Sequence, residues 1–213
     1  RHLLPLLFSA AIQTSTPLET RYELVDVCRR LAHPSFTPDE GFAQFLQVLT
    51  EHPLVLLDHD AIPAHRKQPP GGLKPVHPAS AVSLVLSAIH PGVPVEVQVS
   101  TIGLAAMMCS RDFHVCEQAI YENQYNEGVK LHGEVQFFLW STFSDLLSSK
   151  KHEIQKMMVR LLNTLYWRLP QLTVELITRS RGQCSEEYWM LPRLLECLGH
   201  PDDEAVGDML EVL

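Results

Sequence analysis

The stretch HEIQKMMVRLLNTLYWRL, from His152 to Leu169, decides the fold class. Its apolar residues recur at steps of three and one, which places them on one face of an α-helix and excludes the alternation of a strand. These apolar residues are Ile154, Met157, Met158, Leu161, Leu162, Leu165 and Tyr166. The pattern therefore predicts an amphipathic helix over about 151–168.

Helical segments are predicted along most of the chain on the same grounds. The opening RHLLPLLFSAAIQTS is expected to form a core helix, with a signal peptide as the weaker alternative. TPLE (Thr16–Glu19) and TPDE (Thr37–Glu40) have the form of capping boxes and predict two helix starts. Later helices are predicted at about 79–90, 94–109, 112–125, 130–148, 170–180, 186–198 and 202–212. The alternating valines at 93–99 leave a strand open as the alternative there.

Histidine–proline pairs interrupt these segments. Proline disfavours helical conformation in the residue before it, and a histidine at a helix C-terminus can meet the exposed carbonyls. We therefore interpret the pairs as corners between packed helices and not as metal or catalytic histidines. The pairs are His33–Pro34, His52–Pro53, His77–Pro78, His90–Pro91 and His200–Pro201.

Two segments resemble the second helix of HEAT or armadillo-type repeats, in which a proline or acidic turn leads to a valine and then to leucine-type positions. They are VPVEVQVSTIGLAAM, with Pro94, Glu96, Val97, Ile102 and Leu104, and HPDDEAVGDMLEVL, with Pro201, Asp202, Val206, Met209, Leu210 and Leu213. The basic residue that commonly follows the valine is absent, because Gln98 and Gly207 stand there.

This resemblance implies an all-α fold of about ten helices, stacked as antiparallel hairpins in an α-solenoid. A compact helix bundle remains the alternative. We expect residues 1–213 to form a single helical-repeat domain that is a segment of a longer chain. The proline- and glycine-rich residues 61–78 are predicted to be a long surface loop.

Composition restricts the class of function. The chain is 46% hydrophobic and 20% charged, which is typical of a folded core. The net charge of −8 disfavours a general nucleic-acid or anionic-membrane surface. Five cysteines are few and odd in number, so we expect free thiols and an intracellular location, in the cytoplasm or the nucleus. No apolar run approaches the roughly 20 residues of a membrane-spanning helix.

No catalytic, cofactor-binding or metal-ligating residue is predicted. Cys184 has Arg179 and Arg181 nearby, but Glu186 and Glu187 oppose activation of its thiol. Two sets of potential metal ligands lack the spacing of a known site. They are Cys109, His114 and Cys116, and Asp58, His59, Asp60 and His65 with His77 further on.

The sequence is most consistent with a non-enzymatic scaffold or adaptor that binds other proteins in a larger assembly through a helical-repeat surface. The residues predicted to contact partners are Tyr121, Tyr125, Lys150, Lys151, Lys156 and Arg160. The alternatives are a nucleic-acid-associated helical scaffold of a nuclear complex and, less favoured, a metal-dependent enzyme with a site near 58–77 or 109–116.

Overall fold

A computed structural model describes residues 2–54, 56, 79–125, 128–130, 136–178 and 190–197. Within these ranges the secondary structure is helical apart from one short β hairpin, so the predicted all-α class is confirmed. The helices are α1 Leu3–Ile12, α2 Leu18–Leu31, α3 Asp39–Glu51, α4 Ala81–Leu86, α5 Val95–Arg111, α6 Phe113–Tyr125, α7 Leu139–Leu147, α8 His152–Arg168, α9 Pro170–Ile177 and α10 Met190–Cys197. The strands are β1 Gly128–Lys130 and β2 Gln136–Phe138.

The most extensive helix contacts join helices that are not neighbours in the chain as well as some that are. α2 contacts α5, and α5 contacts α8, so these three helices lie side by side. α5 also contacts α4 and α6, and α6 in turn contacts α7, α8 and α9. Every helix contributes to one hydrophobic core. This order of contacts is compatible with the predicted stacking of helix hairpins.

Arg111, the last residue of α5, holds α5 against the corner between α2 and α3. Its Nη1 donates to the Ala32 carbonyl at 2.9 Å, and its Nη2 lies 2.8 Å from the fully exposed carboxylate of Asp39. The guanidinium carbon lies 4.1 Å from the ring centroid of Phe42. Only 4% of the Arg111 side chain is exposed. A buried cation needs such partners, so Arg111 fixes where α5 ends relative to α2 and α3.

Arg168 ends α8 as Arg111 ends α5, although Arg168 is exposed and Arg111 is buried. α8 and α5 are both 17 residues long, both end at an arginine, and a single residue separates each from the next helix. The Arg168 guanidinium donates to the carbonyl of Ser110 in the last turn of α5. α5 is therefore joined to the end of α2, and α8 to the end of α5, in each case by the arginine that ends the helix.

The prediction of one helix over 130–148 is wrong at its start. β1 and β2 pair antiparallel with Gly128 opposite Phe138 and Lys130 opposite Gln136, and the helix begins only at Leu139. Phe137 and Phe138 are both fully buried. A short apolar run that is buried on every side has no periodicity to distinguish a strand from a helix, and aromatic residues favour the strand.

The valine-rich segment 93–99 is helical as predicted, because α5 begins at Val95. The strand alternative at this position is therefore wrong. Val97 faces the core, while Val95 and Val99 are half-buried on the flank of the helix. The packing of α5 against α2, α4 and α8 outweighs the local strand preference of valine.

The two predicted capping boxes do not form, although both helices begin within two residues of the predicted start. The Thr16 hydroxyl donates to the Ala10 carbonyl at 2.7 Å and does not cap α2. Thr37 is buried and its side chain does not cap α3. A side-chain cap occurs instead at α4, where the Ser80 hydroxyl accepts from the Ser83 amide at 3.1 Å.

The histidine–proline pairs that the structure describes lie between successive helices, as predicted, although His90 comes four residues after the end of α4 and does not end the helix predicted at 79–90. α2 ends two residues before His33, and α3 ends immediately before His52. Nδ1 of His33 and Nδ1 of His90 each accept from the amide two residues later, at 3.2 Å in both cases. The intervening proline has no amide hydrogen, so the imidazole closes the turn. His77 and His200 lie outside the described residues, as do the predicted loop 61–78 and the helix 202–212.

We predict that Arg111→Met lowers the free energy of unfolding by about 2 kcal/mol. Methionine keeps the apolar stem but leaves the Ala32 carbonyl without its charged donor and removes the cation from the Phe42 ring. Urea unfolding followed by circular dichroism measures the change.

Arg30→Met is the matched control for this prediction. Arg30 forms an ion pair with Asp26, but its side chain is 69% exposed, so its loss should cost less than about 1 kcal/mol. Equal losses in the two variants would contradict a special role for the buried arginine.

Candidate functional site: the groove between α2 and α5

A groove of about 550 Å³ lies between α2 and the first half of α5. Here we call it the α2–α5 groove. α2 contributes five of its residues and α5 contributes three, so the groove exists because these two helices lie side by side. The lining residues are Tyr22, Glu23, Asp26, Val27, Arg30, Glu96, Val97 and Ser100.

Asp26 is the best-connected side chain in the groove. Its Oδ1 accepts from the Ser100 hydroxyl at 2.9 Å and from Arg29 Nε and Nη2 at 3.1 and 3.0 Å. Its Oδ2 lies 2.6 Å from Arg30 Nη2. Partial burial by itself would raise the pKa of Asp26, but the hydrogen bonds from Ser100, Arg29 and Arg30, with the charge of Arg29, together lower it. Asp26 is therefore a charged carboxylate that joins α2 to α5.

Gly103 makes this connection possible. A Cβ atom at position 103 would lie 2.8 Å from Cδ of Arg29, which is closer than such atoms approach one another. The absence of a side chain lets the Arg29 stem lie across α5 while its guanidinium turns back to Asp26. The sulfur of Met157 in α8 would lie 3.6 Å from the same Cβ atom. A side chain at position 103 would force the Arg29 stem to shift, whereas Met157 would be at an ordinary contact distance.

The two remaining carboxylates of the groove are open. Glu23 on α2 and Glu96 on α5 are both exposed, and neither forms a hydrogen bond or an ion pair with the described part of the chain. Partial burial raises the pKa of Tyr22, so its phenol remains a neutral donor at physiological pH. Val27, 39% exposed, adds an apolar contact surface. The groove therefore presents two free negative charges, a phenol and an apolar side chain.

None of the six predicted partner-binding residues lies in this groove. Tyr121 is 44% exposed on α6, and Tyr125 ends that helix with its side chain outside the described residues. Lys150 and Lys151 are exposed before α8, whereas Lys156 and Arg160 are half-buried on α8 and already engaged in contacts. Lys156 and Arg160 are thus one turn apart on α8, whereas Tyr121 belongs to α6.

The metal alternative at 109–116 lacks a converging set of ligands. Cys109 and Cys116 are buried, whereas the His114 side chain is 83% exposed, with its Nδ1 3.6 Å from a Glu117 oxygen. Among the residues that the structure describes, no group of three or more histidine, cysteine or acidic side chains could hold a metal ion. Cys184 and the residues 58–77 lie outside the described ranges.

Glu122 is a buried carboxylate that the sequence did not reveal, and its contacts serve the structure. Glu122 of α6 accepts from the Ser80 amide at 2.6 Å and from the Ser80 hydroxyl at 2.9 Å, and it also accepts from the Ser83 hydroxyl. Glu122, Ser80 and Ser83 are each at most 3% exposed, so the cluster has no access for a substrate. It ties the start of α4 to α6.

No protein-family model matches the chain, and no curated protein matches it. Two solved structures, both described as crystal structures of an engineered protein, are similar to it along nearly the whole length. The first is 15% identical, with a TM-score of 0.45 over 99% of this chain and 94% of that chain. The second is 14% identical, with a TM-score of 0.43 over 100% of this chain and 98% of that chain.

None of the helices in the described ranges is both long and apolar enough to cross a membrane.

We predict that Asp26→Asn lowers the free energy of unfolding by about 1 kcal/mol at pH 7, because the ion pairs to Arg29 and Arg30 are lost. Folding lowers the pKa of Asp26, so the charged carboxylate stabilises the protein above its ordinary pKa of 3.8. That stabilisation is lost as the pH falls from 3.8 through the lower pKa of the folded state. The difference between the two proteins should therefore shrink below pH 3.8, as measured by urea unfolding.

The control is Glu196→Gln, which removes an exposed carboxylate of α10 and should change stability by less than about 0.5 kcal/mol. A difference between wild type and Asp26→Asn that stays constant with pH would contradict the assigned ion pairs.

Proposed function

We propose that this chain is a non-enzymatic helical scaffold that binds a basic segment of another protein in the α2–α5 groove. The observation that carries the proposal is the pair of open carboxylates, Glu23 and Glu96, one on each wall of the groove. A lysine or arginine side chain between them would neutralise both.

The charges around the groove favour a partner segment with positive charge. Asp26 pairs with both Arg29 and Arg30, which leaves one positive charge in excess, so the five charged groups at the groove carry a net charge of −1 and the unpaired charges are those of the two glutamates. The net charge of −8 adds long-range attraction for a basic segment. An acidic partner would be repelled by Glu23 and Glu96.

The shape of the groove suits a side chain of a protein partner. A volume of about 550 Å³ lies within the range of typical ligand sites, and the groove is open to solvent along the exposed face of α2 and α5. Tyr22 supplies an aromatic surface and a hydroxyl, which is the type of residue enriched in interfaces. The apolar stem of a bound lysine or arginine would lie against Tyr22 and Val27.

The proposal also concerns how the helices are stacked. We propose that the side-by-side helices α2, α5 and α8 form one face of a HEAT- or armadillo-like stack, with the groove at one end of that face. The protein would present this face in the cytoplasm or the nucleus as part of a larger assembly.

Selection from a random displayed peptide library on the immobilised protein tests the proposal. The selected peptides should be enriched in lysine and arginine, and their binding should weaken as salt is added. The double variant Glu23→Lys/Glu96→Lys should bind a selected peptide roughly tenfold or more weakly by fluorescence anisotropy, because attraction becomes repulsion at both walls.

The matched control is Glu40→Lys/Glu153→Lys. It reverses the same number of exposed glutamates at positions that do not line the groove. This variant should keep most of the affinity. Equal weakening in both double variants, or enrichment of acidic peptides, would contradict the groove as the binding site.

A nucleic-acid binding assay tests the alternative of a nucleic-acid-associated scaffold. Binding of duplex DNA or of single-stranded RNA at low salt that is abolished by Lys150→Glu/Lys151→Glu, with no peptide selected by the groove, would overturn the proposal in favour of that alternative.

A further inference from the structure

Arg30 already places a guanidinium in the α2–α5 groove. It is one of the lining residues, and its Nη2 lies 2.6 Å from Oδ2 of Asp26. Within the described part of the chain this ion pair is the contact that holds the Arg30 side chain, which is 69% exposed. An exposed ion pair of this kind contributes little to stability. The cation at Oδ2 can therefore be replaced by another at small cost.

The two oxygens of the Asp26 carboxylate are held differently. Oδ1 accepts from the Ser100 hydroxyl at 2.9 Å and from Nε and Nη2 of Arg29 at 3.1 and 3.0 Å. Arg29 is less exposed than Arg30, at 35%, and its stem lies against Gly103 of α5. The contacts at Oδ1 can therefore stay in place while Oδ2 changes its partner.

The two open glutamates lie close to Asp26 along their helices. Glu23 precedes Asp26 by three residues on α2, so the two carboxylates are neighbours on the helix surface. Glu96 precedes Ser100 by four residues on α5, and Ser100 is the residue that donates to Asp26. All four residues line the groove. A cation at Asp26 therefore has a second carboxylate within one turn along α2 and a third within one turn of the Ser100 contact.

Tyr22 adds an aromatic surface next to Asp26. It lies one turn before Asp26 on α2, whereas Arg30 lies one turn after it, and all three line the groove. A guanidinium is planar, stacks on aromatic rings and carries five donors in a fixed fork. An ammonium is a strongly hydrated point charge with three donors. Several carboxylates beside a phenol ring therefore favour arginine over lysine.

We propose that the residue bound in the α2–α5 groove is an arginine of the partner, and that it replaces Arg30 at Oδ2 of Asp26. This inference rests on the proposed function, because it names the residue that the groove takes from a basic segment. The incoming guanidinium donates to Asp26 and to the two glutamates, and it stacks on Tyr22. Arg30 turns out into solvent. Without a partner, Arg30 is an internal competitor for the site.

Two pentapeptides test the preference for arginine. Each is acetylated and amidated and has a single basic residue between glycines, which is arginine in one and lysine in the other. Titration of the isotopically labelled protein, followed by NMR, should shift the amide signals of groove residues such as Glu23, Asp26 and Glu96. The arginine peptide should bind roughly threefold or more tightly than the lysine peptide.

Removal of Arg30 tests the exchange. Arg30→Gln should raise the affinity for the arginine peptide roughly fivefold, because the peptide no longer competes with an internal guanidinium. In an Asp26→Asn background the same change should give a gain of less than about twofold, because the contested carboxylate is gone. This double-mutant cycle separates a direct exchange from the loss of a nearby positive charge. Thermal unfolding reports whether each variant is folded.

The matched control for charge is Arg21→Gln. Arg21 is on the same helix, but it does not line the groove, and its Nε donates to the Thr16 carbonyl at 2.9 Å. Loss of its charge should change the affinity by less than about twofold, because salt screens a charge that does not touch the ligand. Equal gains in Arg30→Gln and Arg21→Gln would contradict the exchange.

Failure of the inference is distinguishable from failure of the proposed function. Suppose that the displayed library yields basic peptides, but the two pentapeptides bind equally or not at all, or Arg30→Gln brings no gain. The groove then remains the binding site, and the exchange of arginines is overturned. If the library yields no basic peptides and neither pentapeptide shifts the groove amides, both are overturned.

Discussion

The burial of the Arg111 guanidinium is the constraint on which the arrangement of helices depends. A buried cation must keep its hydrogen-bond partners, and those of Arg111 belong to the end of α2 and the start of α3. The ring of Phe42 covers the same group. The end of α5 is therefore held at one position along α2, and the α2–α5 groove takes its shape from that alignment. Hydrophobic contact between the helices would be non-directional and would allow them to slide.

The groove and the buried Arg111 contact lie at opposite ends of α5. Glu96 and Ser100 line the groove in the first half of the helix, while Cys109 and Arg111 belong to its last turn. Arg168 adds the next link, because it joins the end of α8 to Ser110. Arg111 and Arg168 both end helices of 17 residues, but the Arg111 side chain is buried and Arg168 is exposed.

Polar contacts between helices specify the positions of α4 and α5. Ser80 and Ser83 meet the Glu122 carboxylate, and Asp26 meets Ser100 across the α2–α5 contact. Buried polar groups must be paired, so each of these contacts specifies one arrangement of helices in a way that leucine packing alone does not. The small residue Gly103 has a comparable effect, since it allows Arg29 and Met157 to meet over α5.

The sequence by itself determined the helical class, the helix at 152–168 and the histidine–proline corners, because periodicity and the missing amide of proline are local properties. It did not determine the hairpin at 128–138, where a buried aromatic run such as Phe137–Phe138 has no diagnostic period. It also could not locate the groove, although Glu23, Asp26 and Arg30 have helical spacing. Which face of α2 meets which face of α5 depends on residues far apart in the chain, such as Asp26 with Ser100 and Arg111 with Ala32. Those pairings exist only once the helices have packed.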